Sequence, residues 1–495
     1  MKLKLRSEYV LLIAVFLASL AARLWVAFGT PNFSYDAYFQ LGQVENIRTS
    51  FLPSFSRLFY SPHPFMPLFH YVLAFFSLFA PLHAVLKVVP NILASSSVFL
   101  AYLVSFEMTK DKRAALFSAA SVGFVPVFVF NTANSLSPYA LAVPLMLALV
   151  YSFLKVGEKS FVALFVVFLF ALVFTHPSAL LFVSGLLLYV LLLYVLGSKS
   201  SRSELEIMLF SVMASIWIVF LFFKEALLAH GFSVFWQNIP GDVLAGGFSG
   251  FSVFDAVYRI GLLTFIAGIF VTYRYVFEEK RKDVHVVISL SLMVLALLAL
   301  KLVKLDAGLM FLGVFFAVMS GEAYKAFFEY LGKSKAAKML PAVSVLLASV
   351  FILTSVAPSL LYRQFQAGEV PTSGELVAFE WLKNGSSEAS VVFSDVNEGH
   401  LVVAVSGRRN FVDSNFLLSH DISQRLSDME KLYTAKSQIT ALQIMDSYDL
   451  SYIVVTGRAL ARRNVSSLSY VASCFAVVFE GEDTVIYKPL CRVSS

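Results

Sequence analysis

Long apolar runs separated by short polar breaks organise this chain. Runs long enough to cross a bilayer fall near 9–28, 85–107, 113–131, 136–154, 160–175, 178–197, 206–227, 255–276, 284–301, 305–324 and 339–361. They predict about eleven transmembrane helices. A further run, 65–82, is broken by Pro64 and Pro67 at its start and by Pro81 at its end. After Leu361 the pattern changes. Val377–Leu382 reads as an amphipathic helix, and Val391–Phe393 and Tyr452–Val455 read as short buried strands. Val477–Phe479 and Thr484–Tyr487, separated by Glu480-Gly481-Glu482-Asp483, read as a hairpin. The fold class expected is an α-helical polytopic membrane bundle, residues 1–361, with surface helices. A small C-terminal α/β domain follows at 362–495, long enough to bury its own core.

Charge settles the ambiguous run. If 65–82 lies along the surface, every basic cluster falls on one side. These are Lys110/Lys112/Arg113, Lys155/Lys159, Lys199/Arg202, Arg274/Lys280/Arg281/Lys282 and Lys325/Lys333/Lys335/Lys338. That side is then the cytoplasm by the positive-inside rule. If 65–82 spans the bilayer, all of these clusters move outside. The surface reading makes 29–84 one long first outer loop with two surface helices. It puts the N-terminus in the cytoplasm and the C-terminal domain outside the cell membrane. The first run is too long for a signal-peptide core and has no small-residue cleavage site, so it is expected to be a retained span.

Composition adds little to this. The hydrophobic fraction is 58% and the charged fraction 14%, against roughly 25% charged in soluble proteins, so most of the chain belongs in lipid. The net charge of +6 is concentrated in the cytoplasmic loops, and no basic motif points to nucleic acid. The two cysteines, Cys474 and Cys491, both lie in the tail. An oxidising exterior permits a disulfide there, although the sequence does not show whether they pair. The sequons Asn384-Gly385-Ser386 and Asn464-Val465-Ser466 lie in the same region. Catalytic-triad, P-loop and zinc motifs are lacking.

Candidate chemistry gathers at the outer ends of the spans. Lys87, Lys224 and Lys301 read individually as side chains that snorkel to the interface. Arg259 reads as lying about a turn inside the eighth span, with Asp255 four residues before it on the same face. Lys304 and His176 mark other outer ends. As a group, Arg259, Lys301 and Lys304 can hold a phosphate or diphosphate at the lipid boundary.

Asp36 stands in Ser34-Tyr35-Asp36-Ala37-Tyr38, just after the first span. It opens an amphipathic run to Arg48, with Gln40 and Gln43 on its face and Phe39, Val44 and Ile47 placed to meet the membrane surface or the bundle. Helix capping is the simplest alternative role for this carboxylate. Capping accounts for neither Tyr35 and Tyr38 nor the Ser61-Pro62-His63-Pro64 stretch that closes the loop.

The Tyr-Asp-Ala-Tyr segment after the first span, the "HPFMPLFHY" helix and the external tail together resemble the GT-C glycosyltransferases. That superfamily includes protein O-mannosyltransferases, aminoarabinose transferases and the oligosaccharyltransferase catalytic subunit. The motif likeness covers about residues 9–135; beyond that it is one of architecture. It implies an enzyme that moves a hexose or pentose from a polyprenyl-phosphate donor to a lipid, glycan or protein acceptor. It implies catalytic roles for Asp36 and His63, and sugar or acceptor contacts from Tyr35, Tyr38, Gln40, Asn134 and His176.

Two departures shape the expectation. Metal-dependent members carry more carboxylates in the second outer loop. The resemblance implies that Asp36 either acts as general base or helps to hold a divalent metal; here Asn131–Ser137 has no acid, so the metal is disfavoured and a metal-independent, inverting displacement with Asp36 as general base is favoured. The tail segment from Glu380 resembles the start of the oligosaccharyltransferase external domain, where a Trp-Trp-Asp-Tyr-Gly segment reads the sequon. Here Ser394–His400 lacks the aromatic pair, which argues against N-glycan transfer. Asp395, Glu398 and His400 are expected in a surface turn, with contact to an acceptor as the alternative. The competing classes are a transporter or lipid flippase and a non-catalytic relative. Gathering of charge at one face, with no repeated half, argues against transport.

Overall fold

The computed structural model describes residues 7–49, 66–231, 248–365, 368–416 and 421–493. The described chain forms two compact units. The first comprises 7–29, 66–224 and 248–365; the second comprises 30–49, 225–231, 368–416 and 421–493.

The first unit is a helical bundle. Among the described residues, seven helices are long and apolar enough to cross a membrane: Ser7–Ala27, Leu82–Thr109, Ser178–Val195, Arg202–Lys224, Lys282–Ala299, Leu305–Lys333 and Lys335–Phe365. Two bent pairs, Lys112–Gly123 with Pro126–Thr132 and Val253–Ile260 with Leu262–Phe277, raise the number to nine if each pair is one span. Tyr139–Leu154 and Lys159–Val173 are shorter apolar helices. Each of the eleven apolar runs therefore coincides with a helix or a helix pair. The 65–82 run contains a helix of only nine residues, Leu68–Phe76. At 1.5 Å per residue that is roughly 14 Å, about half a bilayer core.

Packing centres on Leu305–Lys333, which is buried almost continuously from Leu305 to Glu322. Its glycines admit close neighbours. A Cβ at Gly308 would meet Leu298, one at Gly313 would meet Val125, and one at Gly321 would meet Ser105 and Ser118. Small residues at helix contacts let backbones approach, and hydroxyls tie them together. The Ser118 hydroxyl donates to the Val318 carbonyl at 2.7 Å and accepts from the Gly321 N–H at 2.9 Å.

The eighth run differs from its expectation. It is two helices bent by 105° at Gly261, whose φ is +96°. A Cβ there would stand 2.3 Å from the Ser355 Oγ, so both the backbone conformation and the space require glycine. Arg259 therefore sits in the last turn of the short first helix of the pair, just before the bend.

The second unit is built on a five-stranded sheet. The strands are β1 (Val391–Phe393), β2 (Arg409–Asn410), β3 (Leu450–Thr456), β4 (Phe475–Glu480) and β5 (Thr484–Pro489), in the order β2-β1-β3-β5-β4. β1 runs parallel to β2 and β3, whereas β5 is antiparallel to β3 and β4. The expected strands and hairpin are present; β2 has too few residues to leave a periodic signal. Phe393, Phe411, Met429, Leu432, Tyr433, Ile453 and Val455 form the core.

The amphipathic segment is the Ser373–Gly385 helix, started by a capping box between Thr372 and Glu375. Cys474 and Cys491 form a disulfide with Cα atoms 5.2 Å apart, tying the approach to β4 to the end of β5. The Ala37–Thr49 helix belongs to this unit. Its apolar residues Val44 and Ile47 are buried, and the Phe39 ring lies 5.3 Å from that of His400. Within the second unit this helix packs against the 399–406 segment.

Candidate active site

Asp36 immediately precedes the Ala37–Thr49 helix and is exposed. Its carboxylate does not cap that helix: Oδ1 accepts a hydrogen bond from the Ser414 hydroxyl at 3.1 Å. Behind Ser414, His400 Nε2 lies 2.9 Å from the same hydroxyl oxygen. His400 Nδ1 is 3.7 Å from Asp413 Oδ2. Asp413 is fixed in turn: Oδ2 accepts from Asn410 Nδ2 at 2.9 Å and Oδ1 accepts from the Asn415 N–H at 2.8 Å.

The local sequence builds this contact. A Cβ on Gly399 would stand 2.1 Å from the Val412 carbonyl and 2.7 Å from Asp413 Cβ. Only glycine lets the 412–414 segment pass against the 399–401 turn. A π-turn, Val402–Ser406, follows His400 directly, and Gly407 ends it with φ +64°.

The surface turn expected for Asp395, Glu398 and His400 is corrected here, because all three are buried. Asp395 pairs with Arg462 and Arg463 at 3.1 Å each. Glu398 Oε1 accepts from the Thr456 hydroxyl at 2.5 Å, while Oε2 is buried without a partner. Burial pushes the Glu398 carboxyl up to about 8, and Asp395 and Glu375 add to the rise.

Tyr35 and Tyr38 flank Asp36 in sequence but point into the unit. The Tyr35 hydroxyl donates to Glu375 Oε2 at 2.7 Å and accepts from Arg458 Nη1 at 3.2 Å. Burial, then the Glu375 carboxylate, raises its pKa; the same two causes push Tyr38 up to about 12. Gln40 is half-buried. Gln43 is fully buried with neither end of its amide paired. His63 lies outside the described residues.

In the first unit, Arg259 pairs with Asp306, not with Asp255. Asp255 instead completes a capping box with Ser252, accepting from its backbone N–H at 2.8 Å and its hydroxyl at 2.7 Å. Asn131 Nδ2 donates to the Asp306 carbonyl at 3.2 Å, so the second outer loop meets the start of the Leu305–Lys333 helix. Lys301 and Lys304 are exposed in the same turn, with Lys301 Nζ 5.8 Å from the Phe248 ring centre. The structure therefore brings Arg259 to the 301–306 turn.

Asn134 and His176 are not gathered there. Asn134 Oδ1 accepts from Lys87 Nζ at 2.5 Å, and His176 Nδ1 accepts from the Ser178 N–H at 3.0 Å. Lys87 does not snorkel. It is buried and also donates to the Ala27 carbonyl at 2.7 Å. Sequence reasoning passed over Arg23, which is fully buried in the first span. It donates to Thr132 Oγ1 at 2.6 Å and lies 4.3 Å from the Phe128 ring centre. Its Nε and Nη2 are unpartnered. An arginine within an apolar run is itself the signal.

Among the described residues, no three His, Cys, Asp or Glu side chains converge as metal ligands would. Asp36 is separated from His400 and Asp413 by a serine.

No family model matches the chain, and no curated protein matches it significantly. Its fold is nonetheless that of solved structures. One is the archaeal oligosaccharyltransferase AglB from Archaeoglobus fulgidus in complex with an inhibitory peptide and a dolichol-phosphate. There the TM-score is 0.66 at 13% identity, over 92% of this chain and 70% of that one. ArnT from Cupriavidus metallidurans bound to undecaprenyl phosphate gives 0.60 at 11% identity, over 97% of each chain. The mycobacterial arabinofuranosyltransferase AftD gives 0.53 at 13% identity, over 96% of this chain and 41% of that one.

Proposed function

This chain has the GT-C glycosyltransferase fold, and from that premise we propose that it is an integral membrane glycosyltransferase. It would transfer a sugar from a polyprenyl-phosphate donor to an acceptor on the extracytoplasmic face. The observation that carries this reading is Asp36: an exposed carboxylate directly after the first span, held by one hydrogen bond from Ser414 and not spent on capping. In the reaction an acceptor hydroxyl attacks the anomeric carbon and Asp36 takes its proton. The bond to phosphate breaks, and its electron pair leaves with the polyprenyl phosphate. A single displacement inverts the anomeric centre.

The donor class rests on the lipids named with the similar structures, a dolichol-phosphate with AglB and undecaprenyl phosphate with ArnT. Arg259, Lys301 and Lys304 give this part of the first unit three cations against the carboxylates of Asp306 and Asp255, a surplus of one suited to a departing phosphate. A catalytic role for His63, and sugar or acceptor contacts from Tyr35, Tyr38, Gln40, Asn134 and His176, rest on the family likeness alone.

The test is Asp36→Asn assayed with a panel of undecaprenyl-phosphate and dolichyl-phosphate monosaccharides, following release of the polyprenyl phosphate. Loss of a general base costs about 10²- to 10⁴-fold in a protein that still folds. Transfer at the parent rate would remove Asp36 from the mechanism.

A further inference from the structure

A general base that takes a proton must give it up before the next turnover, and the second unit contains a route. We propose that Ser414 and His400 form a proton relay that takes the acceptor's proton from Asp36 and holds it on His400 beside Asp413. The inference rests on Asp36 being the base.

The Ser414 hydroxyl has one proton and two takers: Asp36 Oδ1 at 3.1 Å and His400 Nε2 at 2.9 Å. Asp413 faces the other ring nitrogen at 3.7 Å, an ion-pair distance too long for a hydrogen bond. That carboxylate favours a proton on Nδ1 and leaves Nε2 able to accept. Asp413 cannot swing away easily, since Asn410 and the Asn415 N–H hold both of its oxygens. His400 is likewise fixed, buried under the Phe39 ring. Ser414 connects this buried ring to an exposed carboxylate.

The proton inventory closes. Before transfer, Asp36 is a carboxylate and His400 is neutral with its proton on Nδ1. As the acceptor O–H breaks, its proton goes to Asp36. A half-turn of the exposed carboxyl, whose terminal torsion is broad and two-fold, brings the new O–H to Ser414. Asp36 then gives its proton to Ser414 Oγ while the serine's own proton moves to Nε2. The products are an Asp36 carboxylate, an intact serine and an imidazolium paired with Asp413. The imidazolium then returns its proton through Ser414 to the exposed Asp36 carboxylate, which gives it to water once the product has left, and the start is restored. Ser414 and His400 are thus positioning and relay residues, and Asp36 alone meets the acceptor.

The direct test needs no substrate. The His400 side-chain ¹⁵N resonances of the purified full chain are assigned by their loss in His400→Gln. Asp36→Asn is expected to shift the Nε2 resonance, because an amide at 36 changes which way the serine proton points. In a Ser414→Ala background the same change is expected to leave it unmoved. No shift on Asp36→Asn, or an equal shift without Ser414, overturns the relay.

The kinetic arm uses the same panel of polyprenyl-phosphate monosaccharides. Ser414→Ala and His400→Gln are each expected to lower kcat by roughly 10- to 100-fold, less than loss of the base itself, with little change in KM. Ser414→Thr is expected to recover most of the rate. The double variant is expected to be no slower than the slower single one, as for residues acting as a unit. Additive losses, or parent-rate transfer by Ser414→Ala, overturn the relay. Parent-rate transfer by Asp36→Asn overturns the base as well; an inactive Asp36→Asn beside a fully active Ser414→Ala overturns the relay alone.

Discussion

Glu398 is buried with one oxygen held by Thr456 and the other without a donor. A charged carboxylate is costly there, so the folded state keeps the proton until the pH rises through about 8, whereas the ordinary value is 4.5. The sign follows. The folded state binds more protons than the unfolded one between those values, so this stabilisation is complete below the lower one and lost as pH rises through the upper. The limiting slope is about 1.4 kcal/mol per pH unit. Glu398→Gln keeps a neutral group of the same shape. It is expected to flatten the fall in urea midpoint between about pH 5 and 8, measured from Trp381 fluorescence. An unchanged pH profile would show that Glu398 is ionised in the fold. Asp395, three residues before it, is a buried acid that is paired, with Arg462 and Arg463.

At the scale of elements, two glycines decide where functional side chains go. Gly261 makes the 105° bend that leaves Arg259 at a helix end beside Asp306. Gly261→Ala meets both a disfavoured backbone conformation, about 1–3 kcal/mol, and the Ser355 hydroxyl. It is expected to lower the melting temperature, and Ser355→Ala is expected to restore part of the loss. Full restoration would mean the backbone carries no strain. Gly399→Ala is expected to destabilise the second unit by about 1–3 kcal/mol through overpacking, and to displace Asp413 and Ser414 from His400. Hydrogen exchange at residues 412–415 reads that displacement directly. The Cys474–Cys491 disulfide closes a loop across the sheet edge with a sequence separation of 17. Replacing both cysteines by serine is expected to cost about 3 kcal/mol by loop-closure entropy, read as a lower urea midpoint.

At the scale of the whole molecule, the proposed orientation has one strict consequence. With the N-terminus in the cytoplasm, Lys199 and the tail residue Glu482, both exposed, lie on opposite sides of the membrane. A membrane-impermeant maleimide added to intact cells is expected to label Glu482→Cys and not Lys199→Cys; the reverse pattern inverts the topology. The cation cluster bears on the donor in the same way. Arg259→Ala with Lys304→Ala is expected to raise KM for a polyprenyl-phosphate sugar several-fold, with the cost falling at high salt because Lys304 is exposed and Arg259 half-exposed. Unchanged KM would take the phosphate elsewhere, with buried Arg23 and Lys87 the next cations to replace.

The amount of apolar surface per residue fixed the membrane bundle. Eleven runs could be read because a span needs no partner to be recognised, and strand periodicity in the tail was equally local. The 65–82 run yielded to loop charge and to its three prolines. Burial of polar groups was not legible. Ser394–His400 has the composition of an exposed turn, yet its acids and histidine are buried against Thr456, Arg462, Arg463 and Ser414. Those partners lie between 14 and 68 residues away in the chain, beyond any local pattern. The partner of Arg259 was not legible for a related reason: its nearest acid in sequence is engaged by Ser252, and it pairs with Asp306, 47 residues away. Asp36 stood out from the sequence as a carboxylate placed just after a span. That it is joined through Ser414 to a histidine and a second carboxylate was decided by tertiary structure alone, because only the folded sheet brings 400 and 414 to residue 36.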